Sequence, residues 1–443
     1  MKATLKTRRE FLRTSMLGAA ATWTLPVFLE KTFFALDAMA ADALTQTVTG
    51  KDGTILVVLQ MAGGNDGLNM VVPYGDDAYH VARPRLALPV DQILKINNYA
   101  GLNPKLTGLK SLYDEGHLAV IQGVGYPNPN RSHFRSTEIW QTASDADRAE
   151  SKGWLGRYFD NCCSGADPTV GVAIGEETPQ AFAAKTPTGV TFSRPEQFRF
   201  RSSEPANGHM STEETFFRQI NEAGAAEESS PAAANEGASI GAIPGKTNSD
   251  MGTLDFLERT ALDAQMSSDK ILAIARKYKS TVPYPEGPLA ASLNIIARMI
   301  AGGLPTRVYY ASQGGFDTHA GQLNAHPRLM GYFNDAIAAF VADLKQQGNF
   351  ERVLLMTFSE FGRRVQENAN GGTDHGAAAP MFVLGGAVKP GLFGKYPSLT
   401  ELDRGDLKFN TDFRTVYGTV LDRWLKAPSQ TVLGRKFPAL GIV

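Results

Sequence analysis

Cysteine is nearly absent from this sequence: two in 443 residues, and they are neighbours, Cys162 and Cys163. Adjacent cysteines close no loop long enough to restrict an unfolded chain, so a framework of disulfide staples is excluded. Free thiols, a strained vicinal bridge or a contact between molecules remain open for the pair. A charge excess is lacking too. Lys plus Arg number 44 against 45 for Asp plus Glu, which leaves no overall basic surface for nucleic acid. Beyond the first forty residues there is no long hydrophobic run. The later apolar stretches have strand length or carry charges, so no membrane span is expected there.

What is present suits a packed core. Hydrophobic residues make up 43% of the chain, and 443 residues are enough for one large domain or two medium ones. The 44 glycines sit largely in short clusters between apolar runs, which favours a loop-built site on a scaffold of strands.

Residues 7–13, Thr-Arg-Arg-Glu-Phe-Leu-Arg, spell a twin-arginine pattern. An apolar stretch over 16–29, interrupted by Pro26, precedes the small-x-small site Ala38-Met39-Ala40. This predicts a signal peptide over 1–40, cut after about Ala40. The alternative is a retained anchor, but the uninterrupted apolar part is shorter than the roughly 20 residues a bilayer requires. The expected partner is the twin-arginine translocation machinery, and the destination is the periplasm or the outside of the cell. That route carries folded proteins, often with a metal or cofactor already loaded.

After this segment the pattern alternates. Continuous apolar runs at 55–59, 118–122, 308–311, 353–358 and 381–384 read as buried strands. Helical spacing appears over 106–115, 136–140, 254–278, 289–300, 329–344 and 413–425. Short strands and turns are expected over 164–195. Residues 201–249 change composition, and 222–236 are rich in Ala, Glu and Ser, which reads as an exposed or flexible insertion. The expected architecture is a three-layer α/β/α sandwich, one domain over 53–443 interrupted by that insertion.

The polar residues gather where strands end. The first strand runs into Gly63-Gly64-Asn65-Asp66-Gly67. The second is followed by Arg131-Ser132-His133. Later strands meet Asp317-Thr318-His319, Glu360 and Asp374-His375. Parallel strands bring such loops to one sheet edge. Carboxylates and imidazoles collected there can hold one or two divalent cations, which suits phosphoryl or sulfuryl transfer. Ser132 can then serve as nucleophile, His133 in proton transfer, and Arg131 or Arg135 in orienting an anionic substrate. Simpler roles stay open. Asp66 can cap its own turn, Asp317 and Ser132 can cap helices, and Glu360 can pair with Arg363 and Arg364. Two other motifs are chance matches. Gly245-Lys246-Thr247 lacks the first glycine of a P-loop, and Gly237-Ala238-Ser239-Ile240-Gly241 has no strand before it to build a nucleophile elbow.

Together the segments Gly63-Gly64-Asn65-Asp66-Gly67-Leu68-Asn69, Arg131-Ser132-His133-Phe134, Gly153-Trp154-Leu155-Gly156-Arg157, Gly315-Phe316-Asp317-Thr318-His319, Ser359-Glu360-Phe361-Gly362-Arg363-Arg364, Gly372-Thr373-Asp374-His375-Gly376 and Thr411-Asp412-Phe413-Arg414 carry a resemblance. The sequence resembles the bacterial family named domain of unknown function 1501, a twin-arginine-exported, sulfatase-like group. More remotely it is similar to the alkaline phosphatase and sulfatase superfamily. That resemblance implies an alkaline phosphatase-like α/β/α fold with a metal site at the carboxyl end of the sheet. Carried over residue by residue, it implies Asp66, Asp317, His319, Glu360, Asp374 and His375 as metal ligands, with Ser132 in the nucleophile segment and Arg131 and His133 beside it. The cation would be zinc, manganese or calcium. The function implied is a metal-dependent hydrolase of phosphate or sulfate esters, acting on a small or polymeric anionic substrate. No Cys-x-Pro-x-Arg segment is present, which argues against a formylglycine sulfatase. The competing expectation is a non-catalytic envelope protein that uses the same fold to bind polysaccharide or an assembly partner.

Overall fold

The computed structural model describes residues 53–163, 167–185, 188–197 and 267–443. The expected signal peptide, the 201–249 insertion and the two chance motifs lie outside these residues. The chain forms two compact units, one of residues 44–194 with 273–443 and one of 1–43 with 195–272. The described part of the second unit is confined to 195–197 and 267–272, and the first unit carries every feature discussed below.

In chain order, the first unit opens with β1 (Ile55–Met61), β2 (Val71–Val72), α1 (Asp77–Ala82), β3 (Leu94–Lys95), β4 (Gly101–Leu102), α2 (Thr107–Asp114), β5 (Leu118–Gly125), α3 (His133–Thr142), α4 (Trp154–Cys162), β6 (Gly171–Ile174) and β7 (Val190–Phe192). It continues with α5 (Pro288–Gly302), β8 (Val308–Gln313), α6 (Gln322–Gln347), β9 (Val353–Phe358), β10 (Arg363–Glu367), β11 (Thr373–His375), β12 (Ala379–Gly385), β13 (Gly391–Phe393), β14 (Thr411–Asp412), α7 (Phe413–Thr419) and α8 (Ser429–Leu433). A π-helical turn, Val420–Trp424, extends α7.

The central sheet has the order β13-β5-β12-β9-β1-β8-β6-β7, with β14 also paired to β5. β1 lies parallel to β8 and β9, and β6 is parallel to β8 and β7. β12 alone runs against its neighbours β5 and β9. All seven residues of β1 and all eight of β5 are buried, as expected for strands covered on both faces. Alternate strand residues divide the core. Leu56, Val58, Ile121, Leu354, Met356 and Val383 pack with α3, α4, α7 and α8, including Trp140, Trp154 and Tyr417. The opposite face receives α5, which packs on β8 and α6, and α2, which packs on β5 and α6. The fold is therefore a mixed α/β sheet between two helical layers. Truncating a buried core residue such as Leu354 to Ala removes packing worth roughly 2–5 kcal/mol.

α6 begins at Gln322, ahead of the expected 329, and carries Pro327 inside it. Its first turn is held by tertiary contacts: the Gln322 N–H donates to Gly371 O (3.0 Å), and its side chain donates to Asp66. Packing here holds a helical turn ahead of Pro327, whose ring and missing N–H oppose one. Two small sheets decorate the main one, β2-β4-β3 and the antiparallel hairpin β10-β11. Among the described residues no helix is long and apolar enough to cross a membrane.

Candidate metal centre

Strand direction builds the site. β1, β5, β8 and β9 all point the same way, so their carboxyl ends share one edge. From there emerge the loop at 63–67, the segment entering α3 at His133, the loop holding Asp317 and His319, and Glu360. β12 runs oppositely and brings its amino end to that same edge, with His375 just ahead of it. The hairpin β10-β11 sets Arg363 directly across from His375. Two glycines let these loops close up. Gly63 has φ +118°, and a Cβ there would sit 2.5 Å from Asp317 N. A Cβ on Gly376 would lie 2.6 Å from the Arg363 carbonyl carbon. No other residue type fits either contact.

Asp317 is the hub. His375 Nε2 and His319 Nε2 lie 3.1 and 3.2 Å from Asp317 Oδ1, and His133 Nε2 lies 3.4 Å from Oδ2. One ligand atom each from His133, Asp317 and His375 fall within 4.8 Å of one another. His319 joins it through Asp317 and through His375, its Nε2 being 2.8 Å from His375 Nε2. Ligand atoms about 2.0–2.1 Å from a tetrahedral cation are separated from each other by about 3.3 Å. The carboxylate–imidazole distances match that spacing.

The far side of each ring decides its tautomer. His133 Nδ1 is 2.9 Å from Glu360 Oε1, His375 Nδ1 is 2.9 Å from the Arg131 carbonyl oxygen, and His319 Nδ1 is 3.3 Å from Asp374 Oδ1. All three partners are acceptors, so with a cation bound each Nδ1 would carry the proton and each Nε2 would turn its lone pair to the ion. This is how metal-binding histidines are oriented, with a carboxylate or carbonyl behind the ring. The short contact between His319 Nε2 and His375 Nε2 makes the same point. Two bare lone pairs repel at that distance unless a proton or a cation lies between them. The donor set thus fits a divalent cation.

Electrostatics prepare the same state. Burial pushes the Asp317 carboxyl up, but hydrogen bonds from Arg363 and His375 and the Arg363 charge outweigh it and hold the group at about 2. Burial pushes the His375 imidazole down, against its bonds to Asp317 and the Arg131 carbonyl. An ionised carboxylate and a neutral imidazole are the forms that coordinate metal. Arg363 is buried beneath them. Its guanidinium donates to Asp317 Oδ1 (2.7 Å), Phe316 O (3.0 Å), Thr373 O (2.9 Å), Gly64 O (2.5 Å) and Gly63 O. One cation therefore ties three loops together under the cluster. Phe361 packs its ring 4.9 Å from His133 and 4.5 Å from His375.

The structure redistributes the residues singled out in the sequence. Asp317, His319 and His375 meet at the cluster, and His133 joins them with its Nε2 instead of standing apart. Glu360, 2% exposed, sits behind His133 and also accepts from the Gly63 N–H (2.8 Å). Asp374 sits behind His319 and accepts from Asn368 Nδ2 (3.1 Å). Asp66 is not brought to the cluster. It turns inward, fully buried, to an ion pair with Arg83 (2.6 Å) and a hydrogen bond from Gln322, while its Oδ1 has no hydrogen-bond partner among the described residues. Burial raises its carboxyl, and the Arg83 charge and hydrogen bond more than reverse this. Ser132 is the exposed residue ahead of α3, and its hydroxyl makes no cap bond. Arg131 pairs with Asp406 while its carbonyl positions His375. The sequence reading named Arg363 only as an ion-pair partner for Glu360. Phe361 stood there only inside a motif segment, and Arg83 and Gln322 carried no signal.

The chain was compared with known proteins. No curated protein matches it. Among solved structures it is similar to the PsFucS1 sulfatase from Pseudoalteromonas sp., at 11% identity, covering 88% of this chain and 71% of that one, with a TM-score of 0.34. It is similar to the zinc complex of the C-terminal periplasmic domain of EcEptC from Escherichia coli, at 11% identity, 76% and 74% coverage and a TM-score of 0.31. A protein in the alkaline phosphatase superfamily from Vibrio parahaemolyticus gives 10% identity, 83% and 69% coverage and a TM-score of 0.30. At such scores the likeness says nothing about individual residues or chemistry. A family profile is more direct: the one described as protein of unknown function, DUF1501, matches residues 120–403, from β5 past the whole histidine cluster, and the chain belongs to that family.

Proposed function

We propose that this chain is an exported metal-dependent hydrolase of phosphate or sulfate esters, with His133, Asp317, His319 and His375 holding one divalent cation. The observation that carries the reading is the convergence of three imidazole Nε2 atoms on one carboxylate, each ring backed by an acceptor at Nδ1. An imidazole-rich set with one carboxylate suits zinc or manganese and is a poor match for calcium, which prefers oxygen ligands. Such a cation supplies a Lewis acid that polarises the ester and acidifies a nearby hydroxyl or water.

The chain's own groups do the rest. Asp317, His319 and Asp374 have half-exposed side chains, so an ester attached to a large molecule can reach the cluster. Ser132 adjoins His133, is exposed, and is the proposed nucleophile, water being the alternative. Attack by Ser132 forms a new O–P or O–S bond as the bond to the alcohol oxygen breaks, the serine proton passing to the departing alcohol. A water then cleaves the serine ester to release phosphate or sulfate and restore the hydroxyl; with water as the nucleophile the oxyanion is released directly. Arg131, fixed by Asp406, offers a guanidinium edge to the anionic ester. The twin-arginine pattern at residues 7–13 supports export to the periplasm or the outside of the cell.

The test is turnover of a panel of aryl phosphate and sulfate esters by protein supplied with zinc or manganese. Activity that disappears with chelator and in His375→Ala supports the reading. Metal-loaded protein that turns over no ester overturns the catalytic part and leaves a binding protein.

A further inference from the structure

α3 connects two places. Its first residue, His133, belongs to the cluster, and its last, Thr142, borders a cavity of about 350 Å³. Ten helical residues span about 15 Å, so the cavity is separate from the metal centre. Its size falls in the range of small-molecule sites.

The lining is rich in guanidinium. Arg148, Arg157, Arg414 and Arg435 face it, against Asp145 and Glu150. Asp145 is shared, accepting from both Arg414 and Arg435. Arg414 also pairs with Asp412 (2.7 Å) from behind. With Asp412 included, the wall keeps one positive charge in excess. Arg157 carries it most openly. Its guanidinium donates to Val432 O (2.5 Å), Lys152 O (2.6 Å) and Thr142 O (2.7 Å), all neutral carbonyls. Those three bonds leave two of its five N–H groups over. Burial lowers its pKa, against the attraction of Glu150. Arg148 is exposed at the mouth.

A second observation points the same way. Ser144 lines this cavity, and its buried hydroxyl has no hydrogen-bond partner among the described residues. An orphaned buried hydroxyl is costly in an apolar setting. Here it borders a space walled by cations.

We propose that this cavity is a second binding site, taking an oxyanion group carried by a small organic molecule, with Arg157 and Arg148 supplying charge and Ser144 Oγ a hydrogen bond. Sulfate, phosphate and carboxylate groups share the chemistry that Arg recognises, and the test separates them.

Sodium sulfate, sodium phosphate and sodium acetate are titrated calorimetrically into the full chain at low ionic strength, with chelator present to silence the metal centre. Wild type binds at least one of them with one-to-one stoichiometry. Arg148→Ala and Ser144→Ala each weaken that binding tenfold or more, and thermal unfolding confirms that both variants are folded. His375→Ala binds as wild type does. The proposal is overturned if none of the three anions binds saturably, if binding survives either cavity substitution, or if His375→Ala abolishes it.

Discussion

Replacing Glu360 tests the site through a residue that touches no cation. Glu360 is buried, and its Oε1 accepts from both His133 Nδ1 (2.9 Å) and the Gly63 N–H (2.8 Å). It therefore fixes the tautomer of one proposed ligand and anchors the loop against Asp317. Loss of such a backing group weakens metal binding 10–100-fold, or about 1.4–2.7 kcal/mol. The two ends of that range separate by substitution. Glu360→Gln keeps a carbonyl oxygen for both donors and removes only the charge, so zinc binding should weaken about tenfold. Glu360→Ala leaves both donors without an acceptor, and the loss should approach about a hundredfold. The Ala variant also leaves the part-buried Gly63 N–H without its acceptor, costing up to about 1–3 kcal/mol of stability, so urea unfolding is measured alongside. The assay is competition for zinc with a chromogenic chelator at pH 7. Glu360→Ala binding zinc as tightly as wild type would refute the reasoning, as would Glu360→Gln being the weaker of the two.

Three further predictions concern the supports. Arg83→Met strands the fully buried Asp66 charge and should cost about 3–5 kcal/mol; Asp66→Asn added to it should restore part of that, and a single-variant cost under about 1 kcal/mol in urea unfolding would contradict the ion-pair role. Burial holds His326 neutral by lowering its pKa from 6.5 to about 4. The unfolded chain then binds the extra proton first, so this residue's contribution is intact above pH 6.5 and is lost as pH falls toward 4, by up to roughly 3 kcal/mol. His326→Gln lacks the effect, so its stability relative to wild type should rise over that interval; parallel stability–pH curves would exclude the assignment. Gly63→Ala forces a strained φ and a contact with Asp317 N, so it should lose about 1–3 kcal/mol or more and weaken zinc binding as well. Unchanged zinc affinity in a folded Gly63→Ala protein would show that the loop does not position Asp317.

The strands were legible because burial on both faces leaves continuous apolar runs, as at 55–59 and 353–358. The gathering of polar loops at one edge followed from parallel strands. His375 was named as a ligand through the resemblance, and it reaches that edge for a reason the sequence did not display: β12 is antiparallel, so residues before it, not after it, lie there. The start of α6 was missed because Gln322 is held by Asp66 and Gly371, contacts that no local pattern displays. Division of labour within the site was hidden likewise. Whether Asp66 or His133 faces the cluster depends on which way a loop turns. Asp66 finds Arg83 seventeen residues along, and Glu360 finds His133 over a separation of 227 residues. Arg363 takes its place from the register of the β10-β11 hairpin, which pairs it with His375.

X-ray absorption spectroscopy of the zinc-loaded protein addresses the coordination directly. The account predicts three imidazole nitrogens and one carboxylate oxygen at about 2.0–2.1 Å, with the imidazole count falling in His319→Ala and in His375→Ala. Protein that takes up no zinc, or zinc surrounded by oxygen with no imidazole scattering, would contradict it.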